Sequence, residues 1–503
     1  MLSADRVLPA RLAACRRWRA RTCVATLAAL SIGAPPAARS AAAQERPADS
    51  ASIQFRGLTI TPGGYFAAEA VWRQRNETAD IGSSFNAIPF PGTSNAALSE
   101  FRGSARQSRL TVGVSGRAGA TRLSGYWESD FLSAGVTSNS NESNSYTLRL
   151  RQFWGQAAWS DGSGVMAGQA WSTLTTEKKG VAARNEFAPQ VIDAQYVAGF
   201  DWARQWQIRA WKGFANRAWI VGAIEGAQQT FSAHGNATNF LIGSTGGSLL
   251  NATANYSTDP SPDIVAKLVF EPGFGHYEIK ALGRVFRDRV YDPSGAAGGT
   301  HNFQTYGGGI GVAAVWSVDV PTEHGKTRDG ADVGISALWG RGIGRYGTSQ
   351  LPDMTVRPNG EVVPIRAAQG LVSLEMHPTR RLDIYGYGGA EYEYRTSFLR
   401  GAAGEGYGSA LFNNAGCTVE LAPTGAFAPG APGGANPPCN ADTRALWQAA
   451  AGFWYRVYQG PAGAFQWGLQ YSYTSRNTWS GAAGLQPQAL DNMLFASVRY
   501  VLP

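Results

Sequence analysis

The sequence predicts an all-β protein, an antiparallel transmembrane β-barrel of roughly 16 strands. Three observations carry this. Apolar and polar residues alternate with period two along many segments, no run after residue 43 is long and apolar enough for a membrane helix, and long connections alternate with short ones. Composition agrees: 16 Trp, 19 Tyr and 22 Phe are too much aromatic surface for a disordered chain, and 62 Gly suit many strands and turns. Mean hydropathy is −0.21, which excludes a bundle of membrane helices.

The first 43 residues read as a secretory signal peptide. They hold seven arginines and one acid, an apolar run from Thr22 to Ala34, a Pro35-Pro36 break, and Ala41-Ala42-Ala43 before Gln44. This leader accounts for +6 of the formal charge of +8, so the remainder carries only +2 and no basic stripe interleaved with aromatics. A nucleic-acid partner is therefore not expected. Cys15 and Cys23 leave with the leader, and the remaining pair, Cys417 and Cys439, brackets a Gly/Pro-rich segment, which in an oxidising compartment implies a disulfide.

The strand signal begins at residues 65 to 73. Phe66, Ala68, Ala70 and Trp72 share one face there, with Tyr65, Ala67, Glu69 and Arg73 on the other. Leu110, Val112 and Val114 alternate with Arg109, Thr111 and Ser115. At 192 to 202, Ile192, Ala194, Tyr196, Ala198, Phe200 and Trp202 oppose Asp193, Gln195, Gly199 and Asp201. Residues 191 to 212 are thus expected to form one long strand, with a break at Arg204-Gln205 as the other reading. Asp383, Tyr385, Tyr387, Glu391, Glu393 and Arg395 oppose Ile384, Ala390, Tyr392 and Tyr394, and Asn492 to Pro503 reads as a closing strand with Ser497 and Arg499 on its polar face.

Alternation alone fits a soluble sandwich equally well. Connection lengths decide for the barrel. Short ones fall near 117–120, 160–163, 213–216, 272–275, 319–329, 377–381 and 459–463. Long ones fall near 75–105, 133–145, 173–190, 227–262, 289–300, 346–362, 397–443 and 477–489. Tight periplasmic turns opposite longer outer loops give this rhythm and an even strand number. The expected organisation is leader 1–43, a short periplasmic segment 44–56 and a barrel 57–503 in the bacterial outer membrane, with a disulfide-closed loop near 397–443.

Four segments resemble the DcaP-type porins of Gram-negative outer membranes: Ser104-Ala105-Arg106-Gln107-Ser108-Arg109-Leu110, Gly125-Tyr126-Trp127-Glu128-Ser129-Asp130-Phe131, Leu148-Arg149-Leu150-Arg151-Gln152, and Ala167-Gly168-Gln169-Ala170-Trp171-Ser172. The resemblance is specific over about residues 100 to 175 and implies passive diffusion of small hydrophilic, often anionic, solutes, commonly through a homotrimer. Family members often carry a helical segment before the barrel, for which only residues 44 to 56 are available here. The resemblance also implies that the third long connection, 173–190, folds into the lumen with Glu177, Lys178, Lys179, Arg184 and Glu186.

Parity places Arg109, Arg149, Arg151, Glu128, Asp130, Asp193 and Asp201 in the lumen, since an arginine facing lipid at the bilayer midplane costs about 2–4 kcal/mol. Gln152 breaks this parity, which calls for a bulge. These charges either set ion preference across the channel or pair to stiffen the wall, and both roles are compatible. No cofactor or metal site is expected: Gly342–Gly347 matches G-x-G-x-x-G at a strand end without a following helix, and the five histidines lack ligand spacing. No catalytic constellation stands out. The different-class alternative is a surface-binding or adhesion barrel with an occluded lumen, its 397–443 loop recognising a partner.

Overall fold

The computed structural model describes residues 52–133, 146–235, 237–245, 255–292, 299–321, 327–420 and 438–503. The expected leader, most of segment 44–56, most of the 133–145 connection and the centre of the disulfide-closed loop lie outside the described residues.

Sixteen antiparallel strands close into a barrel. They are β1 Leu58–Arg73, β2 Arg109–Ala118, β3 Thr121–Asp130, β4 Arg149–Ala158, β5 Ser163–Trp171, β6 Arg204–Phe214, β7 Ala218–Glu225 and β8 Asp263–Phe270. The second half comprises β9 His276–Val290, β10 His301–Pro321, β11 Thr327–Arg341, β12 Arg366–Thr379, β13 Leu382–Glu393, β14 Thr443–Gly460, β15 Gly463–Thr478 and β16 Gln488–Val501. Each pairs with its sequence neighbour, and β16 returns to β1 in the register Tyr65↔Val501 to Arg73↔Met493. Closure leaves no open sheet edge, which a membrane-spanning sheet requires.

At one end the strands join through tight turns, for example at 119–120, 380–381 and 461–462. At the other end lie the long loops L1 (74–108), L2 (131–148), L3 (172–203), L4 (226–262), L5 (291–300), L6 (342–365), L7 (394–442) and L8 (479–487). The predicted rhythm is thus observed, and both barrel ends, Leu58 and Val501, sit on the short-turn side.

Alternation translates into an inverted core. Outward-facing Phe66, Ile264 and Trp339 are 54%, 61% and 54% exposed, whereas Arg73, Lys267 and Lys280 inside are at most 1% exposed. That is the arrangement of a barrel in lipid, not of a soluble sandwich. The β13 face predicted as polar is buried from Asp383 to Glu393, Arg395 lies beyond the strand end and is exposed, and Tyr392 and Ala390 look outward.

Two irregularities shape the lumen. β1 pairs with β2 through Thr59↔Ser115 to Tyr65↔Arg109, and with a short strand Glu100–Ser104 higher up, so 105–108 is an insertion within one edge. In β4 the register shifts between Glu128 and Ser129 on β3, leaving Arg151 unpaired and burying both Arg151 and Gln152. This is the bulge that parity demanded.

Residues 192–202 are not a strand. They belong to L3, which runs from Ser172 to Ala203 inside the barrel, and β6 starts only at Arg204. The alternation arises differently. Ile192, Val197 and Phe200 bury against the wall, while Asp193 and Asp201, also nearly inaccessible, accept hydrogen bonds from Ser83 N–H of L1 and from Gln369 of the β12 wall. Left-handed backbone at Tyr196 (φ 69°) and Gly199 (φ 85°) interrupts any extended run. The strand count survives because this stretch adds no strand of its own.

Above L3, Ile88 and Phe90 of L1, Val191 and Phe200 of L3 and Cys417 of L7 form one apolar cluster with Trp454 and Phe495 of the wall. Cys417 and Cys439 are bonded, their Cα atoms 4.7 Å apart.

Candidate functional site in the barrel lumen

L3 lines one half of the barrel because the wall supplies acceptors for its backbone. A loop enclosed in a barrel needs partners for its N–H groups. Glu278 on β9 accepts from the Glu177 N–H (2.8 Å), the Tyr387 hydroxyl on β13 from Gln190 N–H (2.7 Å), Gln448 on β14 from Ala198 N–H (2.9 Å) and Glu391 on β13 from Gly199 N–H (2.8 Å). Gly180 N–H reaches as far as Glu271 in the β8–β9 turn (2.5 Å). Gly334 of β11 gives room for Phe187, whose ring would lie 2.4 Å from any Cβ built there.

The charges of L3 are spent on that anchoring. The Lys178 ammonium sits 2.5 Å from both Asp329 and Asp332 on β11, and Glu177 pairs with Lys267 and lies 3.6 Å from Arg209. Lys280 meets Glu278 at 2.9 Å and Asp201 at 3.9 Å. Glu186 faces Glu177 through a backbone bridge and is half-buried, and Lys179 is exposed. Arg184 alone of the loop's cations turns to the other side, its guanidinium 4.2 Å over the Tyr126 ring of β3.

That other side is the wall of β16, β1, β2, β3 and β4, and it is basic. Arg149 clamps Asp130 with two hydrogen bonds (2.8 and 2.7 Å). Arg151 shares Asp130 (2.9 Å) and bonds Glu128, and Arg109 stands 3.4 Å from the same Glu128. Five of the seven residues that parity placed in the lumen therefore form one network, while Asp193 and Asp201 lie in L3. Parity had marked Arg499 as polar-facing without giving it a role. Arg499 pairs with Glu69 at 2.5 Å and lies between the Tyr65 and Trp454 rings, 4.6 and 4.4 Å from their centroids. Arg109 covers Tyr65 as well, at 5.3 Å. Arg204, at the start of β6, packs 4.7 Å over Trp171 and pairs with no carboxylate among the described residues. Five guanidinium groups (Arg109, Arg149, Arg151, Arg204, Arg499) thus meet three carboxylates (Glu69, Glu128, Asp130) on this wall, and the cavity beside it adds Arg456, Asp193 and Asp383, so that together these groups carry an excess of one positive charge.

Between this wall and the L3 segment Ala188–Tyr196 lies a cavity of about 280 Å³, lined by Tyr65, Arg109, Arg151, Arg499, Asp193 and Tyr196, with Asp383, Trp454 and Arg456 at one side. At roughly 30 Å³ per water it holds on the order of nine waters. Tyr196 reports its potential. The phenol accepts a hydrogen bond from Arg151 (3.0 Å), and although burial opposes ionisation, Arg151, Arg204 and Arg109 outweigh it and hold the hydroxyl down at about 8. Sequence reasoning missed Tyr196 and Arg204 because one continuous strand over 191–212 put both on the parity of the apolar face.

Two carboxylate–histidine groups, Glu177/His276/Glu278 and Asp329/Asp332/His377, have metal-like spacing, but lysine ammonium groups already neutralise both. The arrangement offers solvated charge along a passage, not a nucleophile beside a base.

No family model and no curated protein matches the chain. Among solved structures, the outer membrane channel DcaP of Acinetobacter baumannii superposes with a TM-score of 0.58 at 15% identity, covering 90% of this chain and all of the other. OmpF of Salmonella typhi (TM-score 0.46, 9% identity, 90% and 100% covered) and an anion-selective porin from Comamonas acidovorans (TM-score 0.44, 9% identity, 88% and 100% covered) are too distant to carry an argument. The chain resembles the DcaP-type channels and has the fold of an outer-membrane porin, a closed sixteen-stranded antiparallel barrel.

Proposed function

We propose that the protein is a passive diffusion channel for small hydrophilic solutes and that its constriction favours small anions, carboxylates among them. One observation carries the reading: a cavity lined by Arg109, Arg151, Arg456 and Arg499 against Asp193 and Asp383, with a tyrosine hydroxyl pulled toward ionisation beside them. In a confined space with low-dielectric walls, uncompensated positive charge concentrates anions and repels cations. Residues Arg109, Arg149, Arg151 and Arg184 form the attractive side. Glu128 and Asp130 fix the guanidinium planes, and Glu177, Lys178, Lys179 and Glu186 belong to the loop that narrows the passage. The test is single-channel recording in a salt gradient, with potassium acetate-type against lithium chloride-type salts. Reversal potentials showing cation preference refute it.

The apolar cluster of L1, L3 and L7 across the outer mouth favours a second reading, a binding barrel whose lumen is occluded. Liposome swelling separates the two, because the absence of solute flux supports the binding role. By resemblance we further propose a homotrimer, which blue native electrophoresis of the detergent-purified protein tests.

A further inference from the structure

Of the two carboxylate–histidine groups in the lumen, the one at the short-turn end is built differently from its counterpart. Asp329 and Asp332 stand near the start of β11 and His377 near the end of β12, and one ligand atom from each lies within 4.8 Å of the other two. His377 Nε2 is 3.6 Å from Asp332 Oδ2. Two ligands held tetrahedrally by one ion at about 2.1 Å stand about 3.4 Å apart, so this pair already has the spacing of ligands that share a metal. Each is also aimed by a further partner. His377 Nδ1 is 2.8 Å from Asp383 Oδ1, so a proton shared there leaves the Nε2 lone pair toward Asp332, and Asp383 is in turn paired with Arg456. The Ser317 hydroxyl on β10 donates to Asp332 Oδ1 (2.5 Å), which leaves Oδ2 for a cation. A carboxylate behind a histidine and a hydrogen bond behind a ligating carboxylate are the devices that orient metal ligands.

The cation seated there is an ammonium. Lys178 Nζ, reaching across from L3, sits 2.5 Å from both Asp329 Oδ2 and Asp332 Oδ2. One positive charge thus serves two carboxylates, and Asp329 Oδ1, shielded from solvent, accepts no hydrogen bond among the described residues. The Glu177/His276/Glu278 group is closed by contrast, because its lysines, Lys267 and Lys280, are at most 1% exposed and are rooted in strands. Lys178 is 37% exposed and hangs from a loop, so its flexible stem can swing the ammonium into water at little cost.

We propose that Asp329, Asp332 and His377 form a site for a divalent transition-metal ion of the zinc type at the short-turn mouth of the barrel, and that Lys178 competes with the ion for it. Two carboxylates and a neutral imidazole balance a dication, whereas the single ammonium leaves one negative charge over. Three protein ligands, one of them nitrogen, suit zinc and its neighbours, while calcium and magnesium prefer about six or more oxygen ligands. The bound ion ties β11 to β12 and releases Lys178 from the anchoring of L3. The ligands come from two strands, and His377 sits where the β12–β13 register shifts after Met376, so no spacing in the sequence announces them. The site is independent of what permeates the channel.

The experiment is isothermal titration calorimetry of the untagged, detergent-purified full chain with zinc chloride, and with magnesium chloride in parallel. Zinc is expected to bind at least about a hundredfold more tightly than magnesium. H377Q and D329N should each weaken zinc binding by more than about tenfold, and D383N, which alters only the orienting carboxylate, by about tenfold. K178Q should tighten it about fivefold, the upper end of what a part-exposed ion pair contributes. That gain is the signature of competition, which a cluster serving only to hold L3 would not show. H276Q in the other group leaves the affinity unchanged, and heat-modifiable migration on gels shows that each variant is folded. Unchanged zinc affinity in H377Q, a loss in H276Q equal to that in H377Q, magnesium bound as tightly as zinc, or no gain in K178Q overturns the proposal.

Discussion

Replacing Arg109 with glutamine isolates the charge of the constriction from its architecture. Glu128 keeps Arg151 as a partner, so no buried carboxylate is abandoned, and the amide retains much of the volume packed over Tyr65. A cavity of about 280 Å³ has an equivalent radius of about 4 Å, which places the guanidinium roughly 6 Å from a permeating ion. In water-like dielectric one unit charge at that distance acts with about 0.7 kcal/mol, reduced to about 0.4 kcal/mol by screening in 0.1 M salt. Removing it weakens anion occupancy about twofold and relieves cation exclusion by a similar factor, so the anion-to-cation permeability ratio is expected to fall about fourfold, and close to tenfold in dilute salt. The assay is the reversal potential of the reconstituted channel across a salt gradient, with Arg117→Gln at the distant turn as control. An unchanged or increased ratio in Arg109→Gln refutes the assignment of the basic wall as the selectivity element.

Raising the pH from 7 to 9 ionises Tyr196 through its value of about 8 and sets a negative charge beside Arg151, so anion preference is expected to decline over that interval. Tyr196→Phe should abolish the decline, and reversal potentials measured across the range read it. Gly334→Leu drives a side chain into Phe187 and is expected to displace L3, giving larger single-channel conductance and faster proteolysis of that loop; conductance at the wild-type level means that the loop is not held there. Reducing the Cys417–Cys439 bond removes a cross-link over 22 positions, about 3 kcal/mol in the chain-entropy account. Limited proteolysis should then cut L7 faster while the barrel keeps its heat-modifiable migration.

The sequence made the barrel legible because lipid and enclosed water impose opposite demands on alternate residues, and turn lengths preserve topology. Arg109, Glu128, Asp130 and Arg149 could be placed from parity alone. Arg151 and Gln152 could be placed once a bulge was allowed, which β4 provides. What escaped was L3 beyond residue 190. A loop packed between apolar and polar surfaces imitates a strand when both of its faces find partners, and one sequence cannot distinguish Gln448 accepting from a loop N–H from Gln448 lining water. Arg204 and Tyr196 were lost with that segment, and the aromatic stack holding Arg499 joins residues from opposite ends of the chain, Tyr65 and Trp454 among them.

In the proposed reading, whether luminal charges stiffen the wall or select ions depends on which half of the barrel they occupy. Where L3 covers the wall, cations and carboxylates are matched: Lys267, Lys280 and Arg209 stand against Glu177, Glu278 and Asp201. Burying such groups costs desolvation that their mutual attraction barely repays, so their effect is to fix where the loop lies. A balanced cluster also exerts little field at a distance. Across the cavity the wall is left uncovered and cations outnumber carboxylates by one, beside a space large enough for water, which lets the field reach a solute. In that reading the loop would act on selectivity chiefly by position, occupying the neutralised side and leaving the arginines of β2, β4 and β16 to face the cavity.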